Sequence, residues 1–505
     1  MKTFEEYLRE NGEVGHIQSI IQSIVYISGL PKVKPKELVI TETGIKGIVQ
    51  GIEEELVEVL LLSPDKASIG ERVARTNDNL KIPVSASFSG RIVNPLGEPI
   101  DGSGPIMGEK EERSVFQKAL GIKERVKISE QLDTGVSLVD VMIPLGKGQR
   151  ELIMGDQKTG KTTFLLQTMT QQAKKNTLCI YVGIGKRSQD AKNVEEYLRK
   201  MGVFENCLIV FASSADPASL VFLAPYTGMT MAEYFRDAGR DVLIILDDLT
   251  NHAKFYREIS LLSKRMPARE SYPGDIFHVH AALLERAGRI KKGDTSVSIS
   301  ALPVIETVQG DLTGYIPTNT MAMTDGHILF DASEYKKGRR PAVNVSLSVT
   351  RVGNQTQSQL EHKIRRALVE RLNLYKKAQE LAHFGFDLPL KTRTDLNVGE
   401  RLEAVFDQES HTIVPKPAAL ILLGLVLHDY WASKSIDQVR VERTKLVEAF
   451  NKGLFKNIEA SFSKVADLVS LDNLIKENED LFGKVLYSNI LTTSKIEEQV
   501  ERGQK

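Results

Sequence analysis

Hydrophobic and polar positions change their rhythm three times along the chain. Up to about Leu80, short Val/Ile/Leu runs such as Leu38-Val39-Ile40, Ile45–Val49 and Val57–Leu62 alternate with turns marked by Gly44, Gly47, Gly51 and Gly70. Closely spaced short strands of this kind predict a small β-barrel or sandwich. From about Pro83 to Gln357, nearly continuous apolar runs alternate with helical stretches. The strand candidates are Glu151–Met154, Leu178–Val182, Leu208–Ala212, Val242–Leu246 and Val297–Ala301. Runs without polar alternation belong to strands covered on both faces, which means a parallel sheet with crossover helices. Beyond Ser358 the period becomes helical. Leu360, Ile364, Leu368, Leu372 and Tyr375 fall on one face of a helix over Ser358–His383, and Arg440–Val465 repeats the pattern.

The expected architecture is therefore multidomain α/β: an N-terminal β-barrel over 1–80, a central P-loop parallel α/β domain over 81–357, and a C-terminal helical bundle over 358–505. A length of 505 residues suits this division. The 66 basic and 66 acidic side chains balance, which argues against nucleic acid or an anionic lipid surface as the main partner. Cys179 and Cys207 suggest no disulfide framework. The longest apolar run, Ala418–Leu427, is about half a membrane span and reads as a buried helix. Met1–Gly12 is charged and lacks the apolar core of a secretory signal.

One motif carries chemistry. Gly155-Asp156-Gln157-Lys158-Thr159-Gly160-Lys161-Thr162 fits G-x-x-x-x-G-K-[ST], with a strand before it and a helix over Thr162–Ala173 after it. Glycines let backbone N–H groups turn onto phosphate oxygens, and the helix N-terminus adds partial positive charge there. Lys161 is expected to reach the β and γ phosphates and the Thr162 hydroxyl to ligate Mg²⁺, with Thr163 following in the helix. The apolar strand Val242–Leu246 ends in Asp247-Asp248. Behind a P-loop, Asp247 reads as the second Mg²⁺ group, whereas Asp248 reads more weakly as one. The cofactors are ATP and Mg²⁺. His278 and His280, two apart on an expected strand or loop, read as packing or surface positions rather than a zinc site. Trp431 and Tyr430 read as core or interface anchors, and Ser494–Lys505 as a solvated helix or frayed end.

These motifs sit in longer stretches that resemble the alpha subunit of F-type ATP synthases: Gly90–Ile106 (GRIVNPLGEPIDGSGPI), Leu145–Thr163, Tyr256–Phe277, Ala301–Asn319 and Pro341–Gln355, with HFGFDLP and GERL inside His383–Leu402. The likeness runs from about Pro83 to Tyr430. It implies a three-plus-three ring of alpha and catalytic beta-type subunits around a gamma-type central shaft, with peripheral-stalk and membrane-sector subunits as further partners. It implies a cytoplasmic protein, peripheral on the inner membrane face through its complex. It also implies that Arg351 is donated in trans to the neighbour's catalytic site, and that Tyr335, Arg340 and Gln408 line an adenine pocket. The catalytic subunit has a glutamate where Gly183-Ile184-Gly185-Lys186 places Lys186. A protonated lysine has no acceptor for a water proton, so ATP is expected to be bound here and hydrolysed poorly. Several features depart from the family pattern, among them the absence of the usual Gln before Lys186-Arg187-Ser188, Tyr335 in place of the usual Phe, and Ile21-Gln22-Ser23-Ile24 where the family has Gly-Asp-Gly-Ile. The positive charge of the loop lies at Lys158, one position late, and the N-terminal stretch is short for a stalk attachment. The short N-terminal stretch points to a rotary ATPase used for another purpose. The competing readings are a homohexameric secretion-type or Rho-like ATPase, and a nucleotide-loaded ring subunit with a purely structural role.

Overall fold

The computed structural model describes residues 2–63, 65, 67–383, 389–462 and 465–487. Ser494–Lys505 and most of the HFGFDLP stretch lie outside them. The protein forms two compact units. The first comprises Met1–Leu132, Leu145–Glu334 and Val343–Gln355; the second comprises Asp133–Pro144, Tyr335–Ala342 and Thr356–Lys505.

The first unit opens with a helix that the sequence pattern does not announce, Phe4–Asn11. A Thr3–Glu6 capping box starts it, and Gly12, at a φ of 66°, ends it. Phe4 packs on Ile40 and Ala74. Six strands then close a barrel: β1 (Val14–Ile21), β2 (Ile24–Ser28), β3 (Glu37–Thr41), β4 (Lys46–Ile52), β5 (Val57–Leu61) and β6 (Arg72–Asn79), in the order β1-β2-β5-β4-β3-β6. Closure leaves no free strand edge. Ile17, Val25, Ile27, Val39, Val59 and Val73 share one buried cluster.

The polypeptide continues through β7 (Lys81–Val84), β8 (Ile92–Val93), β9 (Glu111–Ser114), β10 (Gln131–Leu132) and β11 (Leu145–Gly146) into β12 (Glu151–Gly155). After it come β13 (Leu178–Lys186), β14 (Cys207–Ser213), β15 (Val242–Asp247), β16 (Gly288–Lys292), β17 (Thr295–Glu306), β18 (Gly326–Phe330) and β19 (Val349–Thr350). One sheet runs β19-β18-β12-β17-β15-β13-β14-β8, with β16 paired to β17. From β18 to β8 the pairing is parallel, as the unbroken apolar runs require. Crossover helices such as Lys161–Lys174 and Ala218–Asp237 bury long faces. Gly228 lets the latter approach β13, since a Cβ there would stand 2.4 Å from Val182.

The second unit is helical. Gln359–His383, Leu390–Phe406, Lys416–Leu427 and Ile436–Asn451 are its longer helices. In Lys416–Leu427 the residues from Ala418 to Val426 are all buried, as expected for the apolar run. Each Leu or Ile in it contributes roughly 1.5–3 kcal/mol. No helix among the described residues is long and apolar enough to cross a membrane. The buried guanidinium of Arg401 donates to the carbonyls of Trp431 (2.7 Å), Ala432 (2.9 Å), Lys434 (2.7 Å) and Asn397 (2.8 Å). Gly399 lies against Tyr375, whose ring a Cβ would meet at 2.0 Å.

Candidate functional site

The loop 156–160 joins the C-terminal end of β12 to the helix Lys161–Lys174. Two glycines are required here. Gly155, at a φ of 149°, presses on β18 so closely that a Cβ would lie 2.2 Å from the Phe330 carbonyl oxygen. Gly160, at a φ of 100°, turns the backbone into the helix. The loop is held from outside. Asp156 Oδ1 accepts from Thr307 Oγ1 at 2.6 Å and from the Gly310 amide at 2.9 Å, and Gln157 Nε2 donates to Glu306 Oε2 at 3.0 Å. Thr159 Oγ1 donates to the Asp156 carbonyl at 2.8 Å. Lys161 is buried, and its Nζ donates to the carbonyls of Gly155 and Asp156 at 2.7 Å each. Burial pushes its pKa down, against the pull of Glu306, Asp247 and Asp248. Lys158 and Thr162 are exposed and Thr163 is half-buried. Helix start, glycine turns and the Lys161 ammonium stand together at the end of β12, a combination suited to phosphate oxygens.

The acidic end of β15 completes this region. Asp247 is buried, and Tyr181 donates its phenolic proton to Asp247 Oδ2 at 2.6 Å. Burial and the adjacent carboxylate keep the Tyr181 phenol well above its ordinary pKa. Lys186 Nζ lies 2.8 Å from Asp247 Oδ1 and 2.8 Å from Asp248 Oδ2. Burial alone would lower the Lys186 pKa, but the two carboxylates outweigh it and hold the ammonium above the ordinary lysine range. The other oxygen of Asp248 caps the helix Leu249–Leu262, accepting from the Asn251 amide at 2.7 Å. Asp248 therefore serves a helix start and an ion pair. The sequence alone does not reveal this Tyr181–Asp247–Lys186–Asp248 constellation. A detectable trace of it is an acidic residue placed immediately before an apolar helix, which is an N-cap pattern. The Thr162 hydroxyl and the Asp247 carboxylate are hard oxygen donors, a set that suits Mg²⁺.

Arg351 follows β19 and is exposed; its backbone N–H donates to the Asp325 carbonyl at 3.0 Å. The strand is tethered through Gln149 Nε2, which donates to Thr350 Oγ1 at 3.2 Å and to Glu151 Oε2 at 2.6 Å. In register, Gly326 pairs with Glu151 and with Thr350, while Phe330 pairs with Gly155. The arginine thus leaves the sheet at the start of β12 and the glycine-rich loop at its end. Four steps of strand separate these positions by about 13 Å.

In the second unit, the Arg340 guanidinium stacks 3.6 Å from the centre of the Tyr335 ring, and its Nη1 donates to the Tyr335 carbonyl at 3.0 Å. The side-chain amide of Gln408 is committed to backbone. Its Nε2 donates to the carbonyls of Gly135 and Thr412 at 2.7 Å each, and its Oε1 accepts from the Ser137 amide at 3.1 Å.

His278 and His280 lie on the helix Ile276–Leu284, not on a strand or loop; Ile276, His280, Leu283 and Leu284 form its buried face. His280 Nε2 is 3.0 Å from His252 Nδ1, both rings are buried, and His252 Nε2 is 3.1 Å from the Phe222 carbonyl. Among the described residues no cluster of three or more His, Cys, Asp or Glu could hold a metal ion.

Comparison with known proteins bears on the family. A model of the nucleotide-binding domain of the ATP synthase alpha/beta family matches residues 135–350, and a model of the C-terminal domain of the same alpha/beta family matches residues 357–479. An ATP synthase subunit alpha from Staphylococcus epidermidis is 39% identical over 466 residues, which is 92% of the present sequence and 92% of that protein. The barrel, the parallel sheet with its glycine-rich loop, the helical unit and these matches together show that the protein belongs to the ATP synthase alpha/beta family, on the side of its F-type alpha subunits.

Proposed function

We propose that this protein is a non-catalytic, ATP-binding subunit of a rotary ATPase ring, and that it completes a neighbour's active site with Arg351. Lys186 carries the reading. The position where a catalytic subunit needs a carboxylate holds a cation fixed between Asp247 and Asp248, and a protonated amine cannot accept a proton from water. The same residue argues against a self-sufficient homohexameric ATPase.

ATP phosphates are held by the backbone of Gly155–Thr162 and by Lys161, with Thr163 behind them in the helix. Thr162 and Asp247 hold Mg²⁺, which offsets phosphate charge when bound. Within the second unit, Tyr335 and Arg340 offer a planar stack suited to a purine ring, and Gln408 steadies the turn beside them. Donation of Arg351 to another subunit is supported by its place at the far end of β12 from the protein's own phosphate loop. A guanidinium supplied in trans stabilises charge on the transferring phosphoryl group. The partners are a beta-type catalytic subunit in a three-plus-three ring and a gamma-type shaft, with the ring on the cytoplasmic side of a membrane where membrane-sector subunits join it.

Replacing Arg351 with Ala in the assembled complex tests this. ATP turnover should fall by about 10³-fold or more, while ATP retained by this subunit stays unchanged. Unchanged turnover would favour the purely structural ring subunit.

A further inference from the structure

We propose that Lys186 is a tethered cation that sets how strongly ATP binding by this protein depends on Mg²⁺. The inference rests on the nucleotide-site reading and adds a determinant of its metal requirement.

Both oxygens of Asp247 are engaged: Oδ1 by the Lys186 ammonium at 2.8 Å and Oδ2 by the Tyr181 hydroxyl at 2.6 Å. Asp248 is engaged in the same way, by Lys186 on one oxygen and by the Asn251 amide on the other. The Lys186 side group is 19% exposed, so water screens these contacts poorly. The region therefore carries its own positive charge at the carboxylate expected to serve the metal. Lys161 is the nearby second cation, and Lys186 and Lys161 act on each other through space as like charges beside Asp247, Asp248 and Glu306.

Two consequences follow. A divalent ion drawn to Asp247 must compete with an ammonium that is already there, which weakens its hold. Without a divalent ion, the phosphates still meet a region whose carboxylates are partly neutralised, so less of the binding energy is lost. A lysine suits such a role because its charge is compact and its stem flexible. A neutral amide at the same position would leave Lys161 as the nearby cation for Asp247, Asp248 and the phosphates together and would make binding lean far more on the metal.

The test uses the full-length protein and ATP itself in equilibrium dialysis, in excess Mg²⁺ and in excess EDTA. For the wild type, removing Mg²⁺ should weaken binding by less than about tenfold; for K186Q that ratio should grow by at least about tenfold. A second measurement needs no nucleotide. Mg²⁺ alone should raise the melting temperature of K186Q, whose two carboxylates have lost their counter-ion, and should leave that of the wild type unmoved. Equal ratios in the two proteins would overturn the proposal while leaving the ATP site standing. If K186Q fails to fold, the wild-type ratio decides alone, and a ratio above about tenfold overturns the proposal. Absence of ATP binding by the wild type in both buffers would overturn the nucleotide-site reading, and this proposal with it.

Discussion

Glu151 and Gly326 face each other across β12 and β18 so closely that a Cβ on Gly326 would lie 2.6 and 2.8 Å from the two carboxyl oxygens of Glu151. Glu151 is fully buried, accepts from Gln149 on Oε2, and has no hydrogen-bond partner on Oε1 among the described residues. Burial holds its pKa well above the usual carboxylate range, with Arg351 among the charges that pull it back. The fold therefore favours the protonated form of this group more than the unfolded state does.

A carboxyl whose pKa is raised by folding makes stability fall as pH rises. The contribution is complete below the unfolded pKa near 4.3 and is lost at about 1.4 kcal/mol per pH unit until the folded pKa is reached. Glu151→Gln keeps an acceptor for Gln149 and removes this loss. It should match the wild type in thermal unfolding at pH 4.5 and exceed it at pH 8. A stability difference independent of pH would contradict the assignment.

Lys161→Ala removes the inward ammonium of the phosphate loop. ATP affinity, measured by equilibrium dialysis, should drop by about 100-fold, or roughly 2.7 kcal/mol. Far-UV circular dichroism should be unchanged, because the Gly155 carbonyl still accepts from the Thr307 amide at 3.2 Å and the Asp156 carbonyl from Thr159 Oγ1 at 2.8 Å.

The buried pair His252 and His280 predicts acid sensitivity of the opposite sign. Burial lowers His252 to about 4, and burial together with His252 puts His280 well below its ordinary value. Both are neutral in the fold and take up protons on unfolding, so their contribution to stability is lost as pH falls from about 6.5 toward 4. The slope is about 2.7 kcal/mol per pH unit for two protons. His280→Gln retains a partner for His252, and urea titrations at pH 7 and pH 5 should show a slope reduced by about half.

Arg401→Lys should destabilise the helical unit by about 3 kcal/mol, because one ammonium cannot reach the carbonyls that the guanidinium fork serves together. Thermal unfolding of the full-length protein checks it. A change smaller than about 1 kcal/mol would mean that water replaces the lost donors.

The architecture is legible in the sequence because it rests on periodicity. The runs around Ile153, Val182 and Leu246 lack polar alternation, and strands with two covered faces are what carry them. The glycine-rich loop is legible for the same local reason, since Gly155 and Gly160 mark backbone shapes that other residues resist. Side-group relations between distant strands are not. Nothing in the spacing of Tyr181, Lys186 and Asp248 announces that β13 and β15 lie side by side and bring the three together. The helix Phe4–Asn11 escapes notice because its eight residues include a single buried one, Phe4, too little for a period to show. His280 is assigned to the wrong element from sequence because a short apolar run fits helix and strand alike. The likeness to the Staphylococcus epidermidis subunit spans 466 residues and so reaches beyond Pro83–Tyr430.

β12 is hydrogen-bonded to β17 on one side and β18 on the other, so its two ends cannot shift independently. It works as a ruler five residues long, with the glycine-rich loop at one mark and the root of an arginine at the other. Inserting or deleting one residue between Glu151 and Gly155 would change the interval by about 3.3 Å and turn every following residue to the opposite face. The strand can exchange Leu152 or Ile153 for other apolar residues, but its length is not free to drift.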